Sequence, residues 1–154
     1  MMTELRTILL AEDNAADVEL TLAALRANRV ANHIEVARDG AEALDYLKRR
    51  NHHANRPPGN PVLILLDLKM PKVDGMEVLR EVKSDPQLRT IPVVALTSSR
   101  EDHDLLESYN LGINAYVVKP VAFPDFVQAL RELGLFWAVV NQPPPGSVPR
   151  SSRP

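Results

Sequence analysis

There is no cysteine among the 154 residues. Its absence excludes disulfides, thiolate metal sites and cysteine nucleophiles. Long apolar runs are also missing, and none approaches the roughly 18–20 residues of a membrane span. The opening MMTELRTILLAED is too polar, and its apolar run too short, for a signal peptide. The expected location is therefore the cytoplasm, with no membrane contact. Neither sign of charge dominates. A formal net charge of −2 gives no overall basic field, so nucleic-acid binding is not expected. No internal repeat is visible. What is present is an ordinary globular composition, 45% hydrophobic and 25% charged, at a length that suits one domain with a real core.

Strand-like and helix-like stretches alternate along the chain. Thr7 to Ala11 (TILLA), His33 to Ala37, Val62 to Leu66, Ile91 to Leu96 (IPVVAL) and Ala115 to Val118 read as strands. Between and after them, Ala15 to Asn28, Ala41 to Arg50, Met76 to Lys83, Arg100 to Asn110 and Phe123 to Leu133 read as helices. Asn14 is placed to cap the first helix, and Gly112 and Gly134 lie where helices end. Such alternation predicts an α/β fold, a doubly wound five-stranded parallel sheet with five helices. A core domain is expected over 1–134, followed by an apolar extension at 135–142. The Pro- and Ser-rich 143–154 predicts a solvated tail without a core.

The most informative segment is LILLDLKMPKVDG, Leu63 to Gly75. A strand buried on both faces there delivers Asp67 to its carboxyl end, where parallel sheets place their binding crevices. Desolvating a carboxylate is costly, so an acid at that place needs a partner. The first strand ends in Glu12-Asp13, on the same sheet edge. Alone, that pair could simply complement the dipole of the following helix. Converging with Asp67, the carboxylates would repel one another unless a cation intervened. Oxygen donors without His or Cys select a hard ion, most plausibly Mg²⁺. The fourth strand closes in Thr97-Ser98-Ser99 and the fifth in Lys119-Pro120. Thr97 alone could be a cap, and Lys119 a solvated residue. Together, an exposed carboxylate, a cation, a hydroxyl and an ammonium describe a phosphoryl-transfer site.

The motifs ILLAEDN, LLDLKMPKVDG, ALTSS and YVVKP, in that order, resemble a response-regulator receiver domain of two-component signalling. The resemblance covers about residues 5–133, is to the single-domain chemotaxis regulators, and implies their flavodoxin-like (CheY-like) fold. It implies that Asp67 accepts phosphate from a histidine kinase. It also implies that Asp13, Asp67 and the backbone carbonyl of Lys69 hold Mg²⁺, with Glu12 acting through water. Thr97 would hydrogen-bond the phosphoryl group, Lys119 would pair with it, and the Lys119-Pro120 bond would be cis. Tyr116 stands at the position of an aromatic that rotates between exposed and buried states, so Thr97 and Tyr116 form the expected switch. Two positions depart from the usual pattern. Ser98 replaces Ala or Gly and Lys69 replaces a frequent Asn, which leaves the phosphoryl lifetime open, since Lys69 and Ser99 flank the route of an attacking water.

A narrower likeness lies in the Pro-containing loop after the second helix, the LTSSREDHDLLESYNLGINAYVVKP stretch and Phe136-Trp137. These resemble regulators partnered with phytochrome-type histidine kinases and imply a homodimer through the last helix and the extension, with Phe136 and Trp137 in the interface. The run Leu135 to Val140 could equally fold back over the last helix and complete the core. A histidine phosphotransfer protein is a further possible partner. His52-His53, Arg49, Arg50 and Arg56 read as a solvated loop and face, and Pro143-Pro144-Pro145 as part of the tail. An aspartate-nucleophile phosphatase of the haloacid dehalogenase kind competes, but that class wants an acid where Lys69 stands. A transcription factor would need a DNA-binding module, for which the residues after Val140 are too few.

Overall fold

The computed structural model describes residues 7–70, 72–98, 103–135 and 139, with the side chains of 103–106 excepted. Strands β1 (Ile8–Ala11), β2 (Ile34–Ala37), β3 (Leu63–Asp67), β4 (Val93–Thr97) and β5 (Ala115–Val118) form one sheet in the order β2-β1-β3-β4-β5. Every neighbouring pair is parallel. Five α-helices alternate with them: α1 (Ala15–Ala27), α2 (Gly40–Lys48), α3 (Gly75–Ser84), α4 (His103–Asn110) and α5 (Phe123–Glu132). No helix among the described residues is long and apolar enough to cross a membrane.

The uninterrupted apolar strands follow from having cover on both faces. Ile8, Leu10, Leu63, Leu65, Val94 and Leu96 point to one side and pack with Val18, Leu25, Phe126 and Leu130 of α1 and α5. Leu9, Ala11, Ile64, Leu66, Val93 and Ala95 point to the other and pack with Leu44, Leu47, Leu79 and Val82 of α2 and α3. The three central strands are fully buried, whereas β2 and β5 carry half-buried positions because they form the edges. Val139 is buried in the α1–α5 layer, with Leu135 half-buried against it, and the Val139 N–H donates to the Leu135 carbonyl at 3.1 Å. Phe136 and Trp137 lie outside the described residues, as does the tail.

Some boundaries move for identifiable reasons. β3 runs through Asp67 itself, and β4 through Thr97. α2 begins at Gly40 and ends at Lys48, where Arg49 turns left-handed at φ 54°. Asn51–His53, inside the expected loop, forms a short 3-10 turn. Arg56 corrects the expectation of a solvated face. Its guanidinium donates to the carbonyls of Tyr46, Leu47, Pro57 and Gly59 and lies 4.2 Å from the Tyr46 ring centroid. Arg49 in turn donates to the Arg56 carbonyl. Carbonyls left open at a helix end need donors, and Arg56 supplies them to Tyr46 and Leu47 at the end of α2 while tying in the loop at Pro57 and Gly59.

Candidate phosphoryl-transfer site

Each side chain at the carboxyl edge is placed by the turn that follows its strand. After β1, the Asn14 side chain accepts from the Asp17 amide at 2.9 Å and caps α1. After β3, the Gly75 N–H donates to the Leu68 carbonyl, and Asp74 caps α3 through the Glu77 amide at 3.0 Å. A side chain at Gly75 would overlap the Asp67 carbonyl and the Leu68 main chain. Glycine therefore lets α3 start directly against the strand that carries Asp67. The same device recurs at Asp39-Gly40, where Asp39 caps α2 and Gly40 leaves room for the Val73 carbonyl. Lys72 pairs with Asp39 at 3.3 Å, tying the loop after β3 to α2.

Glu12 is fully buried, and Asp67 and Thr97 nearly so, while Asp13 is exposed. Carboxylate oxygens of Glu12, Asp13 and Asp67 lie within 4.8 Å of one another. Lys119 reaches into this group, its Nζ 3.1 Å from Glu12 Oε1, 3.1 Å from Asp17 Oδ2 and 3.3 Å from Asp67 Oδ2. The Lys69 amide donates to Asp67 Oδ1 at 3.1 Å. The Lys119 N–H donates to the Thr97 carbonyl at 2.7 Å, and the Lys119-Pro120 bond is cis. An open cleft of about 200 Å³ is lined by these residues with Ser98 and Leu96. Larger clefts of about 490 and 580 Å³ flank the Arg56 loop near the amino ends of the strands, but the acids, the lysine and the hydroxyls converge only in the smaller one.

The electrostatics follow from this crowding. Burial pushes the Glu12 carboxyl up to about 7, helped by its hydrogen bond to and repulsion from Asp67. The Asn14 amide and Lys119 pull it down by less. For Lys119 burial works against the charge, but Asp67, Asp17 and Glu12 outweigh it and hold the ammonium above the ordinary lysine range. A set of carboxylate oxygens that raises a neighbour's pKa is a set short of positive charge, and the donors are those of a hard divalent cation.

The family comparison agrees with this geometry. Residues 8–131 match the response regulator receiver domain. The chain belongs to the response regulator receiver family. It is 42% identical over 137 residues to the protein named "Probable methanogenesis regulatory protein FilR2" of Methanothrix harundinacea, covering 89% of this chain and 86% of that one. It is 39% identical over 132 residues to response regulator Rcp1 of Synechocystis, covering 86% and 88%. The Mn²⁺-bound structure of Rcp1 superimposes with a TM-score of 0.70 at 38% identity, over 86% of this chain and 94% of that one. The bacteriophytochrome response regulator AtBRR superimposes with a TM-score of 0.84 at 59% identity, over 91% of this chain and all of that one. Members of this family are response regulators of phosphorelay signalling, and the fold expected from the sequence is the one they share.

Of the expected site residues, Glu12, Asp13, Asp67, Thr97 and Lys119 meet at one edge. Tyr116 stands apart from the acids. It is half-buried against the α2–α3 layer, with its ring edge-on to Tyr109 at 6.4 Å. Asp17 was not singled out by sequence reasoning, although it stands in the first turn of α1, three residues after the cap Asn14. Ser99 is outside the described residues.

Proposed function

We propose that the protein is a response regulator that accepts a phosphoryl group on Asp67 from a bacteriophytochrome-type histidine kinase and signals by binding a partner. The observation that carries the reading is the Asp67 carboxylate at the strand end, 3.3 Å from the Lys119 ammonium and beside two further acids. In the transfer an Asp67 carboxylate oxygen forms the bond to phosphorus as the donor's phosphorus–nitrogen bond breaks, its electron pair leaving with the histidine. Asp13, Asp67 and the Lys69 carbonyl would hold Mg²⁺, with Glu12 acting through water. The cation, when bound, offsets charge on the phosphoryl oxygens. Lys119 pairs with that phosphoryl group, and the Thr97 hydroxyl donates to it.

The phosphoryl group adds about −1.5 to −2 charges. Movement of Thr97 towards it makes room for Tyr116 to turn inward, which changes the surface of α4, β5 and α5. Phosphate shifts that two-state balance only by its different contacts in the two states. The reading is one of a signalling phosphoacceptor in the cytoplasm, not a turnover enzyme. The phytochrome pairing is supported by the 59% identity to AtBRR, which exceeds the 42% to FilR2. A homodimer through α5 and the 135–142 extension, with Phe136 and Trp137 in its interface, is proposed from the sequence, and a histidine phosphotransfer protein remains a candidate acceptor downstream.

Labelled phosphate offered on a purified bacteriophytochrome kinase should appear on the wild-type chain in a light-dependent manner. Asp67→Asn should take up none. Labelling that ignores light removes the phytochrome partner, and undiminished labelling of D67N removes the site. Replacing Phe136 and Trp137 together by Ala should lower the sedimentation mass from dimer to monomer; an unchanged mass contradicts the interface.

A further inference from the structure

The site contains a carboxylate that the reading above does not use. Asp17 lies in the first turn of α1, three residues after the cap Asn14. An acid at that helical position commonly reaches back to the amide of the capping residue, closing a capping box. Here that amide is taken. The Asn14 N–H donates to Glu12 Oε2 at 3.2 Å, and the Asp17 side chain turns instead to Lys119 Nζ at 3.1 Å. The contacts close a ring. Lys119 donates to Glu12 Oε1, Glu12 Oε2 accepts from Asn14, Asn14 Oδ1 accepts from the Asp17 amide, and Asp17 Oδ2 accepts from Lys119.

A lysine side chain left to itself loses about 2 kcal/mol of rotamer freedom when fixed. Two carboxylates that remain in place after Asp67 reacts would keep the ammonium fixed for the phosphoryl group. Glu12 sits below the ammonium in the core, and Asp17 holds it from the helix side. Dipole complementarity of α1 would by itself account for an acid in this turn, but it would not direct that acid onto the half-buried lysine that follows β5.

We propose that Asp17 is a positioning residue for phosphoryl transfer, holding the Lys119 ammonium against Asp67 from the first turn of α1. This rests on the assignment of Asp67 as phosphoryl acceptor. The test uses the full chain with saturating Mg²⁺ and acetyl phosphate as donor, so that no kinase contact enters. Asp17→Ala should lower the limiting rate of phosphorylation by roughly tenfold, the scale of one charge-assisted hydrogen bond at a partly exposed place. Asp17→Asn keeps an acceptor oxygen without the charge and should recover part of that loss. Both keep the cap, because Asn14 bonds the Asp17 backbone amide. A second readout is the pair of Lys119 ε-methylene protons by NMR, inequivalent in a fixed side chain and converging in D17A. Wild-type rates in D17A overturn the inference, as does a lower rate with the Lys119 protons still inequivalent. Phosphate uptake by D67N in the same assay overturns the underlying reading as well.

Discussion

At the scale of single residues, the site is a balance of one ammonium against several acids, and Glu12 reports it. Its carboxyl is raised to about 7 against 4.5 for the free group. A raised folded-state value means that the folded protein binds more protons than the unfolded chain between those pH values. The associated stability is fully present below pH 4.5 and is lost as pH rises through 7. Denaturation of the metal-free protein should therefore show stability falling across that window, and Glu12→Gln should flatten the slope. Apparent Mg²⁺ affinity should rise over the same window, because the ion must displace the proton; an affinity independent of pH would contradict the shared site. Arg56 makes the complementary point away from the site. Arg56→Ala removes donors to two carbonyls at the end of α2 and two in the loop, and a ring contact, and should cost about 2–3 kcal/mol in urea denaturation, against ~0.5 for an ordinary surface position. Neither Arg56 nor Asp17 was legible in the sequence, because each acquires its role from carbonyls or a lysine that only the fold brings near.

Among the elements, the strands were the most legible, since runs such as LILLD and VVALT carry the mark of cover on both faces. Their last residues were less so: Asp67 and Thr97 belong to the ladder itself, since pairing continues to Asp67↔Leu96 and Thr97↔Val118. The Asp-Gly pairs at 39–40 and 74–75 start helices, each Asp capping while each Gly admits a passing main chain. The cap is local, but the need for glycine at Gly40 comes from Val73, far along the chain, and cannot be seen in the sequence. Gly75→Ala forces overlap with the Asp67 carbonyl and should destabilise by about 1–3 kcal/mol, in the range of overpacked cores. Because the displaced group belongs to Asp67 itself, the variant should, on the proposed reading, also phosphorylate more slowly than its residual folded fraction explains. Acetyl phosphate labelling, scaled to the folded fraction from circular dichroism, checks this. The ion pairs Lys48–Glu81 and Arg80–Glu107, which tie neighbouring helices at the surface, should matter little by comparison.

On the scale of the whole molecule, one sheet separates two apolar layers and gathers the chemistry of four strands at a single edge. β1 and β3 bring the acids, β4 the buried hydroxyl and β5 the lysine. The same register places Tyr116 beside Ala95, two residues before Thr97, so a change at the site has a short path to the α4–β5–α5 surface. The alternation of elements alone left the order β2-β1-β3-β4-β5 as one of a few doubly wound arrangements, and the resemblance to receiver domains singled it out, whereas the convergence of strand ends holds in all of them. That is why the site was more legible than the packing around it. The most direct test is to identify the phosphorylated atom's residue. After incubation with acetyl phosphate and Mg²⁺, borohydride reduction converts an aspartyl phosphate to homoserine, which peptide mass spectrometry locates. The account predicts homoserine at position 67 in the wild-type chain and none in D67N. Homoserine at another aspartate of the site, or the corresponding longer alcohol at Glu12, with position 67 unchanged, would contradict it.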